Sequence, residues 1–178
     1  EIYQDLIPAA AEAGTPHVIT FSGNREGLSD QEGLDNCASG LERILPLAEE
    51  YDVVLVMELL NSKVDHPDYQ CDHTGWGVKL CQKIGHPRFK LLYDIYHMQV
   101  MEGDVISTIR GSIDYLAHFH TAGVPGRNEL GPDQELNYPA IARALAATGY
   151  SGFVGHEFVP TATDPFSSLA EATRAWTL

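Results

Sequence analysis

Residues 53–60 read VVLVMELL, an apolar run broken by one acid, Glu58. A strand with one wet face would alternate polar and apolar residues. A continuous run such as this marks a strand buried on both faces, as in parallel sheets covered by helices. The flanking sequence repeats the theme. Upstream lies a short β-branched run, His17–Phe21 (HVITF), then a turn at Ser22-Gly23-Asn24. A long helical pattern follows over about 30–50, with Leu34, Leu41, Ile44, Leu45, Leu47 and Ala48 apolar. Downstream, residues 61–72 are polar and loop-like. Residues 74–84 predict a helix stopped by Gly85 and by His86-Pro87. The next strands are Phe89–Ile95 (FKLLYDI), Leu116–Thr121 (LAHFHT) and Gly152–Val159 (GFVGHEFV). Helices are expected at Gly103–Ile113, at Tyr138–Ala147 with Pro139 in its first turn, and at 165–176. A Gly/Pro-rich polar loop fills Ala122–Asn137. An opening helix over 1–13 ends at Gly14, with Pro8 expected to kink or shorten it. Five strands, each followed by a helix, imply an α/β fold with a parallel sheet, either doubly wound or a barrel. No G-x-G-x-x-G follows any strand, which disfavours dinucleotide binding.

Composition narrows the function classes. The chain has 178 residues, with 25 Asp+Glu against 11 Lys+Arg, a net charge of −14. That charge repels phosphate backbones and anionic membranes, so neither nucleic acid nor a membrane is the expected partner. No apolar run is long enough for a transmembrane helix, and no signal-peptide pattern opens the chain. Three cysteines without a CxxC pair argue against a disulfide framework or zinc knuckle and fit a reducing cytoplasmic setting.

The chemistry gathers at strand ends. Glu58 closes VLVME, Asp94 closes KLLYD, His120 closes LAHFH and Glu157 closes GFVGHE. Any one of these alone is more economically read as a cap or an ion-pair partner. In a parallel barrel, however, all C-terminal strand ends open on one face. Four units then aim three carboxylates and an imidazole at a common point. Structural zinc favours Cys and His, whereas this set suits Mg²⁺ or Mn²⁺. Without a cation the carboxylates would repel, and at least one would take up a proton. His97 and Gln99 lie beyond Asp94, Arg127 beyond His120, and Asn61 beyond Glu58. His97 and Arg127 are candidates for holding substrate oxygens or a carboxylate. His118 is expected to share the inward parity of His120 but to lie deeper, and His156 to point toward the helices. In Gln70-Cys71-Asp72-His73, Asp72 is a candidate helix N-cap. Trp76 and Trp176 read as packing residues.

The strand-end set resembles the sugar isomerase/epimerase branch of the xylose isomerase-like TIM barrels. The segments MELLNS, LLYDIYHMQVMEGD, HFHTAGVPGRNE, ELNYPAI and GHEFVP are similar to the hydroxypyruvate isomerase family, from about His17 to the C-terminus. The resemblance implies a (β/α)8 barrel with Glu58, Asp94, His120 and Glu157 as metal ligands. It makes Glu58 and Glu157 the acid/base pair, and His97 and Arg127 substrate contacts. It also implies a small hydroxy-carbonyl or sugar substrate, isomerised through an enediolate, most simply hydroxypyruvate to tartronate semialdehyde. His120 is a departure: hydroxypyruvate isomerases often carry Gln there, and His is closer to the ketose 3-epimerases. Length is another. A full barrel needs about 250 residues, and the five βα units match strands four to eight of the family. The expectation is a partial barrel over 1–178 lacking its first three units, with open edges at its first and last strands. Such edges invite pairing, and with it a homo-oligomer.

Overall fold

A computed structural model describes residues 2–176. Its elements run α1 (Ile2–Glu12), β1 (His17–Thr20), α2 (Asp30–Glu42), α3 (Leu45–Glu50), β2 (Val54–Glu58), α4 (Thr74–Ile84), β3 (Phe89–Asp94), α5 (Ile95–Met101), α6 (Val105–Ser112), β4 (Leu116–Thr121), α7 (Tyr138–Ala146), β5 (Val154–His156) and α8 (Pro165–Trp176). The five strands form one sheet in sequential order, β1-β2-β3-β4-β5, with every pairing parallel. The architecture is a parallel half-barrel, with β1 and β5 as the edges among the described residues.

Strand alternation sorts the core into two faces. Leu55, Met57, Leu59, Leu91, Tyr93 and Phe119 belong to the apolar cluster packed under the helices. The intervening residues Val56 and Leu92 turn to the inner face and are also buried. That face is concave. In a flat sheet, strands three places apart would lie roughly 14 Å from one another. The rings of His17 on β1 and His118 on β4 are 5.4 Å apart, so the sheet curls and brings its inner side chains together.

Several boundaries differ from the sequence reading. The opening helix runs unbroken through Pro8; Gln4, whose carbonyl loses a helical partner there, is exposed to solvent. Glu1, the expected first residue of that helix, lies outside the described residues. The long helix over 30–50 is two helices. Ser29 starts the first with a reciprocal capping box to Glu32, and Pro46 forces a new start at the second. Ile95, expected as the end of the strand, instead opens α5, and residues 96–101, for which no element was expected, continue that helix directly after β3. Gly103 does not open a helix. It and Asp104 adopt positive φ values of 68° and 45° and separate α5 from α6. The expected strand 152–159 is ordered as β only over Val154–His156. Asp72 does not cap α4, because His73 holds that position. Its carboxylate instead accepts from Arg25 at 3.0 Å and Ser62 at 2.6 Å. Gly85 ends α4 in the left-handed region (φ 61°), as expected. Trp76 and Trp176 are packing residues, the latter 5.7 Å from the Tyr138 ring.

Candidate metal centre

Glu58 is the last residue of β2 and Asp94 the last of β3; His120 is the penultimate residue of β4. Glu157 lies one residue past β5, and its N–H still donates to Thr121 O at 3.0 Å, continuing the ladder. Parallel register aligns these ends: Glu58 pairs with Leu92, Asp94 with His120, and His120 with Gly155. One side-chain ligand atom from each of the four residues falls within 4.8 Å of all the others. His120 Nδ1 is the hub, 3.3 Å from Glu58 Oε1, 3.3 Å from Glu157 Oε2 and 4.0 Å from Asp94 Oδ2. Glycine at 155 makes room for this ring. A Cβ there would stand 3.0 Å from His120 Cδ2, tighter than side chains normally pack.

Asp94 does two jobs. Its Oδ1 accepts the His97 N–H at 2.9 Å, capping α5. Its Oδ2 is buried without a hydrogen-bond partner. Burial, aided by Glu58, pushes this carboxyl up to about 7. The imidazole of His120 goes the other way. Burial opposes its charge, but hydrogen bonds to Glu157 and Glu58 win and raise it to about 9. Glu157, half-exposed, is held down to about 2 chiefly by its hydrogen bond to His120, with Arg127 adding to it. In this state the protons on His120 and Asp94 do what a cation would do: they neutralise a crowded acidic cluster. An orphaned buried carboxylate oxygen, two further carboxylates and an imidazole nitrogen, all converging, are a donor set that fits a hard or borderline divalent ion.

Around this centre the structure brings both expected flanking residues to the cluster. Arg127 Nη2 donates to Glu157 Oε2 at 2.5 Å, and its guanidinium lies over the Tyr96 ring at 5.8 Å. Its backbone occupies the left-handed region (φ 59°), unusual for a side chain of this size. Backbone bonds hold it there: Arg127 N to Gly123 O at 3.0 Å and Val159 N to Arg127 O at 2.7 Å. His97 is fully buried on α5, with Nε2 4.0 Å from Asp94 Oδ2. Burial lowers its imidazole to about 3. His118 sits below His120, rings 5.0 Å apart, and is likewise lowered by burial, to about 4. His156 faces away from the cluster, its Nδ1 2.8 Å from Thr121 Oγ1.

Sequence reasoning named Asn61 only as a neighbour and did not single out Asp65 or Tyr96. These join the two sides of the site. Asn61 Nδ2 and the Tyr96 hydroxyl both donate to Asp65 Oδ2, at 2.6 and 2.7 Å, and Tyr96 in turn lies under Arg127. Asn61, three residues past a strand-end acid, was the available signal.

Comparison with known proteins agrees with this architecture. Hydroxypyruvate isomerase of Escherichia coli K12 is 35% identical over 112 residues, 63% of this chain and 43% of its own length. 2-Oxo-tetronate isomerase of Cupriavidus necator is 36% identical over 111 residues, covering 62% of this chain and 42% of its own. The matched segment thus spans under half the length of these relatives. A crystal structure titled AP endonuclease, family 2, from Brucella melitensis superposes with a TM-score of 0.84 at 27% identity, over 94% of this chain and 66% of that one. The family model described as xylose isomerase-like TIM barrel matches residues 1–176. With its parallel half-barrel and strand-end cluster, the chain belongs to the xylose isomerase-like TIM barrel family.

Proposed function

We propose that the chain carries the catalytic half of a divalent-metal-dependent isomerase. Its substrate is a small hydroxy-carbonyl acid, with hydroxypyruvate, converted to tartronate semialdehyde, as the first choice. The observation that carries this reading is the convergence of Glu58, Asp94, His120 and Glu157 within 4.8 Å at the C-terminal strand ends. Relatives named hydroxypyruvate isomerase and 2-oxo-tetronate isomerase support the substrate class.

Glu58, Asp94, His120 and Glu157 would hold the ion, with Mg²⁺ or Mn²⁺ suited to the three carboxylates. Bound there, a divalent ion supplies Lewis acidity, which acidifies the carbon beside a carbonyl and stabilises an enediolate. The chain's own groups do the rest. Glu58 Oε1 and Glu157 Oε2 each lie 3.3 Å from His120 Nδ1, so two carboxylates can face one substrate. One removes a carbon-bound proton, and the same or the other returns it to the neighbouring carbon. Arg127 is placed to grip a substrate carboxylate as a planar fork. Its present partner is Glu157. When Arg127 turns to substrate, Glu157 loses a cation that holds its proton affinity down, and its basicity rises. His97 offers a neutral N–H to a substrate oxygen beside Asp94.

A ketose 3-epimerase is the alternative that His120 favours, because it needs the same proton abstraction on a longer substrate. DNA cleavage fits poorly with a net charge of −14. The test follows hydroxypyruvate and free ketoses by proton NMR in D₂O with Mg²⁺. Isomerisation with solvent-deuterium incorporation, abolished in Glu157→Gln while substrate still binds, is the expected result. Full turnover in Glu157→Gln would overturn the acid/base assignment.

A further inference from the structure

Asn61 spends every polar atom it has. Its side-chain Oδ1 accepts the N–H groups of Val64 and Asp65 at 3.0 and 2.9 Å. Its carbonyl accepts His66 N at 3.0 Å. Its Nδ2 donates to Asp65 Oδ2 at 2.6 Å. These contacts fix which end of the amide is oxygen, because the opposite orientation would set Nδ2 against two N–H donors and Oδ1 against a carboxylate. What remains points at His97: the Asn61 backbone N–H at 3.1 Å and the second Nδ2 hydrogen at 2.7 Å both face His97 Nδ1. Asn61 and His97 are both fully buried, so water cannot substitute for either contact.

A nitrogen that receives two donors cannot itself carry a proton. We propose that Asn61 is a positioning residue that locks His97 in its neutral Nε2–H tautomer, so that the imidazole presents a fixed hydrogen-bond donor beside Asp94. The Nε2 atom is buried without a partner and lies 4.0 Å from Asp94 Oδ2, also without one. The donor therefore faces a place where an oxygen is wanted: either Asp94 itself after a small shift, or a ligand oxygen drawn to the cluster. The opposite tautomer would bring a third donor against the two from Asn61 and aim a bare nitrogen lone pair at a carboxylate. Such a locked donor selects ligands that offer an acceptor oxygen, such as a carbonyl or an enolate, at this position. This selection rests on the isomerase reading; the tautomer itself does not.

The test is long-range ¹H–¹⁵N NMR of the histidine rings in the intact chain, with His97 assigned by its loss in His97→Gln. The expected spectrum has an unprotonated Nδ1 and a protonated Nε2 across neutral pH. Asn61→Asp keeps the acceptor for Val64 and Asp65 but replaces the Nδ2 donor with an acceptor, so protonation at Nδ1 should rise. Should that variant fail to fold, the charge-conserving swap Asn61→Asp with Asp65→Asn reports the same change. On hydroxypyruvate the expected loss is roughly 10–100-fold in kcat, the range usual for partners that orient a metal-site residue. A wild-type His97 protonated at Nδ1, or a tautomer unmoved by either variant, overturns the proposal. If the wild-type chain shows no turnover but the tautomer behaves as described, the isomerase reading fails while the lock stands.

Discussion

His120 Nδ1 stands 3.3 Å from Glu157 Oε2, although the two residues lie on neighbouring strands and face the cluster from different distances into solvent. The His120 ring is largely buried, whereas the Glu157 side chain is 49% exposed. The centre is therefore buried on the His120 side and reachable from solvent on the Glu157 side. The contact also makes the cluster's protonation one determinant of how the metal-free chain responds to pH.

That response has a defined sign. Asp94 titrates at about 7 in the fold against an ordinary 3.8, so its contribution is present at low pH and disappears as pH rises through about 7. His120 titrates at about 9 against 6.5, so its contribution is full below 6.5 and lost as pH rises through about 9. Glu157 runs the other way, contributing above 4.5 and losing its contribution as pH falls through about 2. His97 and His118, buried neutral at about 3 and about 4 against 6.5, cost stability as pH falls below 6.5, so the melting temperature of the metal-free chain should peak near pH 6.5 and decline toward pH 9. Melts in chelator across this range check it; a midpoint that climbs from pH 6 to 9 would contradict the proton-filled cluster.

Asp94→Asn separates stability from binding. The amide keeps an oxygen to cap α5 through His97 N, but it can no longer ionise. At pH 8–9 and without metal, this variant should melt above the wild type, by roughly 2–4 °C for each kcal/mol of relieved burial. Its response to Mn²⁺ should vanish. A variant that melts lower and still responds to Mn²⁺ would place the ion elsewhere.

Gly155→Ala tests the packing behind the cluster. The new methyl would stand 3.0 Å from Cδ2 and 3.3 Å from Nε2 of His120, so the ring must give by a few tenths of an ångström. Overpacking of this kind costs about 1–3 kcal/mol where neighbours cannot move. Here the expected effect is weaker Mn²⁺ binding, on the order of tenfold, because a ligand nitrogen shifts. Titration of Mn²⁺ by electron paramagnetic resonance measures it. Unchanged affinity would mean the His120 position is not critical.

The order of strands and helices was legible because each buried strand is a short apolar run with a polar terminus. Glu58, Asp94 and His120 stand out for that reason, and their meeting follows from parallel register. What the local pattern hid was set by tertiary context. The helix over Ile95–Met101 is capped by the same Asp94 that ends β3, so strand passes into helix with no loop signal between them. Pro46 divides a helix whose apolar spacing runs straight through it. The network from Asn61 through Asp65 and Tyr96 to Arg127 links a loop, a helix and a distant turn, and no sequence spacing encodes that meeting. Arg127 itself was legible as a residue but not in its left-handed backbone, since large side chains rarely adopt it.

The most direct test of the central claim, that Glu58, Asp94, His120 and Glu157 form a divalent-cation site in this chain, is a thermal melt at pH 7.5 with and without Mn²⁺. A ligand that binds only the folded state, at about 100 times its Kd, stabilises by roughly 2.7 kcal/mol. For a chain of this length that corresponds to a rise of about 5–10 °C, and it should be absent in Asp94→Asn. A cooperative melt whose midpoint does not move with Mn²⁺ would contradict the claim.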